Sequence, residues 1–425
     1  MVITFVVDMI GEKNNGTTVT AMRTAKVLQS FGHEVRFICI LKGKNDELKE
    51  QYKIFDSLKK VNFFVFNPIV DSNGMYVGKI AKKEYPRIKE FLKGSDVVHL
   101  LMPFKLERQI RPIAKAMNIP VTSAMHVQPE NVSYNLNMGH SKLFNSFLYF
   151  LFKNYLYKYV EFIHTPSLMM KEQMIKHHYK NKIYVISNGV SSFFKPIKVD
   201  KPVQYQNKYV ILMVGRLSGE KRQDLIIKAI KKSKYEKDIQ LILCGRGPKE
   251  KKLKLLSKGL TNPVVFEFCN QEELRNIINY SDLYIHASDA ESEAISCIEA
   301  FSCGKVPIIS DSKVSATNHF ALDKRCLFKK GNSTSLRDRI DYFIEHKDVV
   351  DKLSPEYAEF GKTFDITACA KKLEEMFVNA IEKHKQDVNN NVTYYYSYFE
   401  RKRLLKASKY AQINNPLIIK NVIRK

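Results

Sequence analysis

The chain has 425 residues, 44% hydrophobic and 27% charged. That fits two or three globular domains at roughly 150 residues each and excludes collagen-like, coiled-coil and wholly disordered chains. Lys and Arg number 69 against 44 Asp and Glu, a net charge of +25, so an anionic partner is expected: nucleic acid, a phosphorylated substrate or a membrane surface.

The excess charge is uneven. Residues 1–195 carry 28 basic and 15 acidic side chains, 196–384 carry 32 and 27, and 385–425 carry 9 and 2. The seven cysteines form no CxxC pair, which suits a reducing compartment without structural zinc. Met1–Val7 lacks the basic start and cleavage site of a signal peptide. No window reaches the ~18 uncharged apolar residues of a spanning helix. The expected location is cytoplasmic, peripheral on the inner face of the membrane.

In chain order, Val2–Val7 reads as a strand ending at Asp8, followed by a Gly-containing loop and a helix from about Thr18 to Phe31. Gly32 stops it, and Glu34–Leu41 is the next strand. Asp96–Leu101 and Pro120–Ala124 are short buried strands around a helix at Arg108–Met117, and Tyr184–Ile186 closes this half. Pro196 to about Lys208 is the linker candidate. The alternation then restarts with strands at Tyr209–Val214, Gln240–Cys244, Val264–Phe268, Leu283–His286 and Val306–Ser310. Strands alternating with helices predict parallel sheets covered on both faces, and two such runs predict an α/β protein of two doubly wound domains.

Ligands of such sheets bind beyond the carboxyl ends of the strands. After the first strand comes Asn14-Asn15-Gly16-Thr17-Thr18, a helix start whose N–H groups suit an anion, though an ordinary Thr-capped loop fits it equally. After Tyr209–Val214 comes Gly215-Arg216-Leu217-Ser218-Gly219-Glu220-Lys221, where a guanidinium fork and an ammonium leave one strand end together, a good clamp for a diphosphate. Gly245-Arg246-Gly247-Pro248 is a tight turn that permits close backbone approach. In Glu291-Ser292-Glu293-Ala294-Ile295-Ser296-Cys297-Ile298-Glu299-Ala300 two carboxylates lie eight positions apart, with a helix N-terminus near Ala294–Ser296. Its apolar face puts Glu299 against a core, where it needs a partner.

These four motifs, in this order and spacing, resemble the family 4 retaining glycosyltransferases of the GT-B fold from Met1 to about His384. The resemblance implies two Rossmann-like domains facing a cleft and a hexosyl transfer from a nucleotide sugar, a UDP-sugar by expectation. It assigns Arg216 and Lys221 to the donor diphosphate, Glu291 to the sugar hydroxyls and Glu299 to the ribose. Gly16 with Thr17 approaches the phosphates from the other domain, and Gly247, Ala294 and Ile295 complete the donor contacts. His126, which follows Val121–Met125, matches the histidine beside the donor sugar, and a loop-capping role suits it equally. Glu130 and Asn131, on the same loop, are candidates to touch the acceptor. No Asp-x-Asp occurs, and the resemblance implies no metal and no cofactor. This chain departs from the family at Glu293-Ala294, where Phe-Gly is common, and in lacking a double Gly in the first loop.

The expected units are residues 1–195, an acceptor-side domain, and 196–365, the nucleotide-sugar domain. Residues 366–384 form a helix crossing back, as the resemblance implies, and 385–425 a basic aromatic tail. Ser141–Phe162 reads as one helix with an apolar face wider than a core helix needs, rimmed by Lys; it suits a bilayer interface, a domain core, or both. The tail holds five tyrosines and a Phe among five basic residues between 394 and 410, with a poor apolar stripe. An anionic membrane surface with a lipid acceptor such as diacylglycerol is the expected partner. The alternative acceptor is a surface-polysaccharide intermediate. A nucleic-acid binder would present a recognised module, and none appears.

Overall fold

The computed structural model describes residues 1–11, 16–43, 46–61, 77–136, 138–139, 141–390 and 398–414. Asn14 and Asn15 of the first motif lie outside these. The strands are β1 (Val2–Ile10), β2 (Glu34–Leu41), β3 (Lys53–Phe55), β4 (Lys59–Lys60), β5 (Gly78–Lys79), β6 (Val97–Leu100), β7 (Val121–Ala124), β8 (Phe162–Thr165) and β9 (Lys182–Val185) in the first half. The second half holds β10 (Tyr209–Val214), β11 (Ile239–Cys244), β12 (Val265–Glu267), β13 (Leu283–His286), β14 (Pro307–Asp311) and β15 (Leu327–Lys329).

Two sheets result, ordered β3-β2-β1-β6-β7-β8-β9 and β12-β11-β10-β13-β14-β15, with a small β4-β5 ribbon beside them. Every pairing in the two large sheets is parallel. Strand β1 explains why its sequence is almost unbroken apolar residue. Ile3, Phe5 and Val7 enter a core on one face, Val6 packs in a separate core on the other, and successive side chains alternate between them.

Asp8 does not end this strand. Its carboxylate is buried and accepts the Gly78 N–H at 2.6 Å, and after a register shift between Val6 and Met9 the pairing with β2 resumes and continues to Ile10. Burial pushes the Asp8 carboxyl up to about 7 against that hydrogen bond.

The helix Ile366–Asn389 crosses back onto the first sheet, with Cys369, Leu373, Met376 and Phe377 in the same core as Ile3 and Phe5. It runs five residues past 384. Asp365 caps it, accepting the N–H groups of Thr367 at 2.9 Å and Ala368 at 3.1 Å. The two passages between domains are paired: Val190 N–H donates to Phe364 O at 2.8 Å, and Ile366 N–H to Val190 O at 3.1 Å. Gly189, at φ +74°, makes this possible, since a Cβ there would lie 2.5 Å from the Ile366 Cα.

Two stretches differ from their sequence reading. Ser141–Phe162 is not one helix: the helix is Lys142–Tyr155, a single 3-10 turn follows at Tyr157–Tyr159, and Phe162 opens buried strand β8. A short buried strand and a buried helix segment have the same apolar signature. Leu148, Tyr149 and Phe152 face the core, whereas Leu143 is 86% exposed and Phe147 54%.

The tail also carries structure. Tyr398–Ala411 is a helix packed on the helices Tyr85–Leu92 and Lys105–Ala116, burying Glu400, Leu404, Ala407 and Ala411. Glu400 and Arg111 form a bidentate, fully buried ion pair. The expected basic aromatic tail is thus a packed helix over residues 398–411; its tyrosines at 394–396 lie outside the described residues.

Candidate active site

The strand ends of the second sheet carry three loops that are bonded to one another. Gly215 N–H donates to Cys244 O at 2.9 Å, Leu217 N–H to Arg246 O at 3.0 Å, and Lys249 N–H to Leu217 O at 2.9 Å. The glycines serve this contact. A Cβ on Gly247 would lie 2.4 Å from the Leu217 carbonyl oxygen, and one on Gly245 2.1 Å from that of Gly215. Arg216 sits half-buried on the first of these loops, and its carbonyl accepts the Gln223 side chain at 2.9 Å.

Lys221 closes on the third loop through an ion pair with the Glu291 carboxylate. His286, wholly buried at the end of β13, holds the same oxygen through Nε2 at 3.0 Å, while Ser288 Oγ lies 3.1 Å from that nitrogen. Burial alone would raise the Glu291 carboxyl, but Lys221 and His286 together hold it well below the usual carboxylate range. Burial lowers His286 despite its carboxylate neighbour. Glu291 is thus a carboxylate, not an acid, at any ordinary pH. Beside it, Arg222 donates to Asp289 at 2.9 Å and Tyr134 of the first domain donates to the same oxygen at 3.3 Å.

The helix Ile295–Ser302 starts from Ala294, which adopts a left-handed conformation at φ 71° and ψ 66°, an uncommon state for a residue with a Cβ. Ser296 Oγ donates to Val214 O at 3.1 Å, which fixes this helix start to the strand end that launches Gly215–Lys221. The N–H groups of Ile295 and Ser296 precede the first intrahelical bond, which Cys297 N–H makes to Ala294 O at 2.9 Å. Glu299, on the second turn and buried, has its partner in the other domain: Arg23 Nη1 at 3.5 Å. Burial pushes Glu299 up to about 7, with Arg23 opposing.

From the first domain, Gly16 and Thr17 open the helix Gly16–Ser30, which also carries Arg23. The hydroxyl of Thr18 fastens that start by donating to Met9 O at 3.0 Å. His126 follows β7 and lies edge-on to His164 at 5.0 Å, with His99 stacked on His164 at 5.1 Å. This trio borders a cavity shared with Thr20, Asn188 and Ala370. Burial lowers His126 to about 4, so its imidazole is neutral in use. The loop it begins reaches across: Gln128 Nε2 donates to Val314 O at 2.7 Å, the carbonyl that also faces the Glu291 N–H at 3.4 Å. Glu130 points inward instead, accepting the Tyr149 hydroxyl at 3.1 Å; it ties the loop to the helix Lys142–Tyr155.

Glu293 is an inter-domain fastening. Its buried carboxylate accepts Ser187 Oγ, the Asn188 N–H at 3.0 Å and Asn188 Nδ2 at 2.5 Å. Ser167 Oγ also crosses the cleft, donating to Ser292 O at 2.6 Å. Arg23, His286 and Asp289 were not singled out in the sequence. His286 had a signal, a lone buried histidine at a strand end; Arg23 on its helix had none.

The glycosyl transferases group 1 model matches residues 194–363, and the Glycosyltransferase Family 4 model matches residues 14–192. The chain belongs to the family 4 glycosyltransferases of GT-B fold. This glycosyltransferase shares its fold with Anabaena HepE in complex with UDP and glucose, at TM-score 0.67 and 16% identity over 89% of this chain and all of that one. It also shares it with sucrose-phosphate synthase from Thermosynechococcus elongatus, at TM-score 0.68 and 14% identity over 90% of this chain and 99% of that one. Over 130 residues it is 35% identical to the phosphatidylinositol N-acetylglucosaminyltransferase GPI3 subunit of Saccharomyces cerevisiae, which is 28% of each protein. The chain thus spans under a third of the curated relatives it matches. Among the described residues, no helix is long and apolar enough to cross a membrane.

Proposed function

We propose that this glycosyltransferase moves a hexose from a UDP-sugar to a hydroxyl of a membrane lipid, working from an anionic membrane surface, with retention at the anomeric carbon. The observation that carries the acceptor side is the exposed apolar edge of the helix Lys142–Tyr155, where Leu143, Phe147, Phe150 and Leu151 stand in solvent. A soluble core explains none of the four, whereas a helix lying in the bilayer interface buries them. Lys142 and Lys153 lie on the same helix and +13 sits in residues 1–195, which favours an anionic leaflet. The yeast relative's name, a phosphatidylinositol glycosyltransferase subunit, points the same way.

On the donor side, the diphosphate lies against Arg216, Lys221 and the helix start at Ala294–Ile295, with the Gly247 turn and the Gly16–Thr17 helix start closing over it. When the sugar–phosphate bond breaks, negative charge builds on the leaving phosphate, where preorganised cations and N–H groups stabilise it. Glu291, held ionised by Lys221 and His286, accepts sugar hydroxyls, and neutral His126 binds the sugar from the opposite domain. Glu299 accepts the ribose hydroxyls. The departing phosphate takes the acceptor proton on the same face, so configuration is kept.

Hydrolysis of a panel of nucleotide sugars, with and without lipid vesicles, tests this reading. UDP-hexose turnover raised by anionic vesicles supports it; turnover of another nucleotide's sugars alone, or indifference to vesicles, overturns it.

A further inference from the structure

Two of the seven cysteines come together although 25 residues separate them. Cys244 ends β11, and Cys269 lies two residues beyond Glu267, which ends β12 and is the direct register partner of Cys244. The two Sγ atoms are 3.5 Å apart, and Cys269 Sγ is 3.8 Å from Glu267 Oε2. One ligand atom from each of the three side chains falls within 4.8 Å of the others. Two thiolates sharing one tetrahedral zinc at about 2.3 Å each lie about 3.8 Å apart, and a thiolate and carboxylate on the same ion lie slightly closer. The two spacings that involve Cys269 come within about 0.3 Å of that geometry, and the third lies within 4.8 Å.

We propose that Cys244, Cys269 and Glu267 form a site for one thiophilic divalent cation of the zinc type, with water in the fourth position. This site is separate from the donor diphosphate and rests on none of the donor assignments above. Cys244 is buried, Cys269 is half-buried and Glu267 is exposed, so the ion enters from the solvent side and meets its sulfur ligands inside. Binding releases the two thiol protons to solvent, and the three anionic ligands leave the occupied site with one net negative charge.

The position gives the ion a consequence. Cys244 O accepts the Gly215 N–H, and Glu267 O accepts the Gly245 N–H at 2.7 Å. A metal joining Cys244 to the end of β12 therefore stiffens the backbone from which the Gly215–Lys221 and Gly245–Pro248 loops leave.

The test uses the full chain, reduced with a phosphine and stripped of metal, titrated with Co²⁺ and then Zn²⁺. The expected result is one equivalent of Co²⁺ with a thiolate-to-cobalt charge-transfer band, displaced by Zn²⁺. Cys269→Ala should abolish the band and weaken Zn²⁺ by more than about tenfold. Glu267→Gln should keep the band and weaken Zn²⁺ less. Both side chains reach solvent, so a circular dichroism spectrum like that of the wild type is expected of each. No charge-transfer band, or Zn²⁺ binding unchanged in Cys269→Ala, overturns the proposal. So does metal-free oxidation to a Cys244–Cys269 disulfide in a protein whose reduced form binds no Co²⁺.

Discussion

Lys221 and Glu291 are joined by an ion pair across two loops of the second sheet. The residue expected to hold the donor phosphate and the residue expected to hold the donor sugar thus position each other, and His286 completes the set from below.

Replacing Lys221 by Ala should cost about 2–4 kcal/mol of transition-state stabilisation, on the order of 10²–10³-fold in kcat, the scale of losing one preorganised charge donor. Arg216→Ala should fall in the same range. Steady-state donor hydrolysis reads both. Near-normal kcat in the two variants removes them from the diphosphate.

Glu293 makes stability depend on pH. Its carboxyl ionises near 4.5 when unfolded and near 7 when folded, because burial outweighs the bonds from Ser187 and Asn188. Between those values the folded chain holds the extra proton, so this group's contribution to stability falls as pH rises from about 4.5 to about 7. Glu293→Gln should remove that slope, worth on the order of 1–3 kcal/mol. Urea midpoints near pH 5 and near pH 8 for both proteins measure it; parallel pH profiles contradict the assignment.

Arg111→Met should destabilise the first domain by about 3 kcal/mol, since it removes the bidentate partner of the buried Glu400 carboxylate and leaves it the longer contact with Arg403 Nη1 at 3.7 Å. Adding Glu400→Leu should recover most of that loss. Thermal melts of the single and double variants decide it. Equal melting temperatures for the two would mean the pair does not hold the Tyr398–Ala411 helix down. Truncation at residue 390 removes that helix as well and should be costly for the same reason.

How far the sequence was legible follows from where its signals lie. The parallel strands were readable because burial on both faces makes them continuous apolar runs, as in Tyr209–Val214. Asp8 misled because a charged residue reads as a terminus, and its Gly78 partner lies seventy positions away. The Tyr398–Ala411 helix was hidden because its buried stripe is Glu400, Leu404, Ala407 and Ala411, a carboxylate and two small residues among the four. The loops at the strand ends of the second sheet were readable from their glycines and cations. Their partners were not: Arg23 meets Glu299 only through the closing of two domains, and no local pattern encodes that.

Leu143→Ser with Phe147→Ser should reduce sedimentation with anionic vesicles severalfold and leave vesicle-free donor hydrolysis unchanged, because both side chains stand clear of the cleft and the core. Salt should release the wild type by screening its basic surface. Unaltered pelleting of the double variant places the membrane contact elsewhere.

The most direct test of lipid glycosylation is the fate of labelled sugar. The full chain is incubated with labelled UDP-hexose and anionic vesicles containing diacylglycerol, and the organic extract is counted and its anomeric configuration assigned by NMR. Label in the lipid fraction with the donor's α configuration kept is expected, and on the order of 10²–10³-fold less of it with Lys221→Ala. Label confined to aqueous oligosaccharide, or a lipid product of inverted configuration, would contradict it.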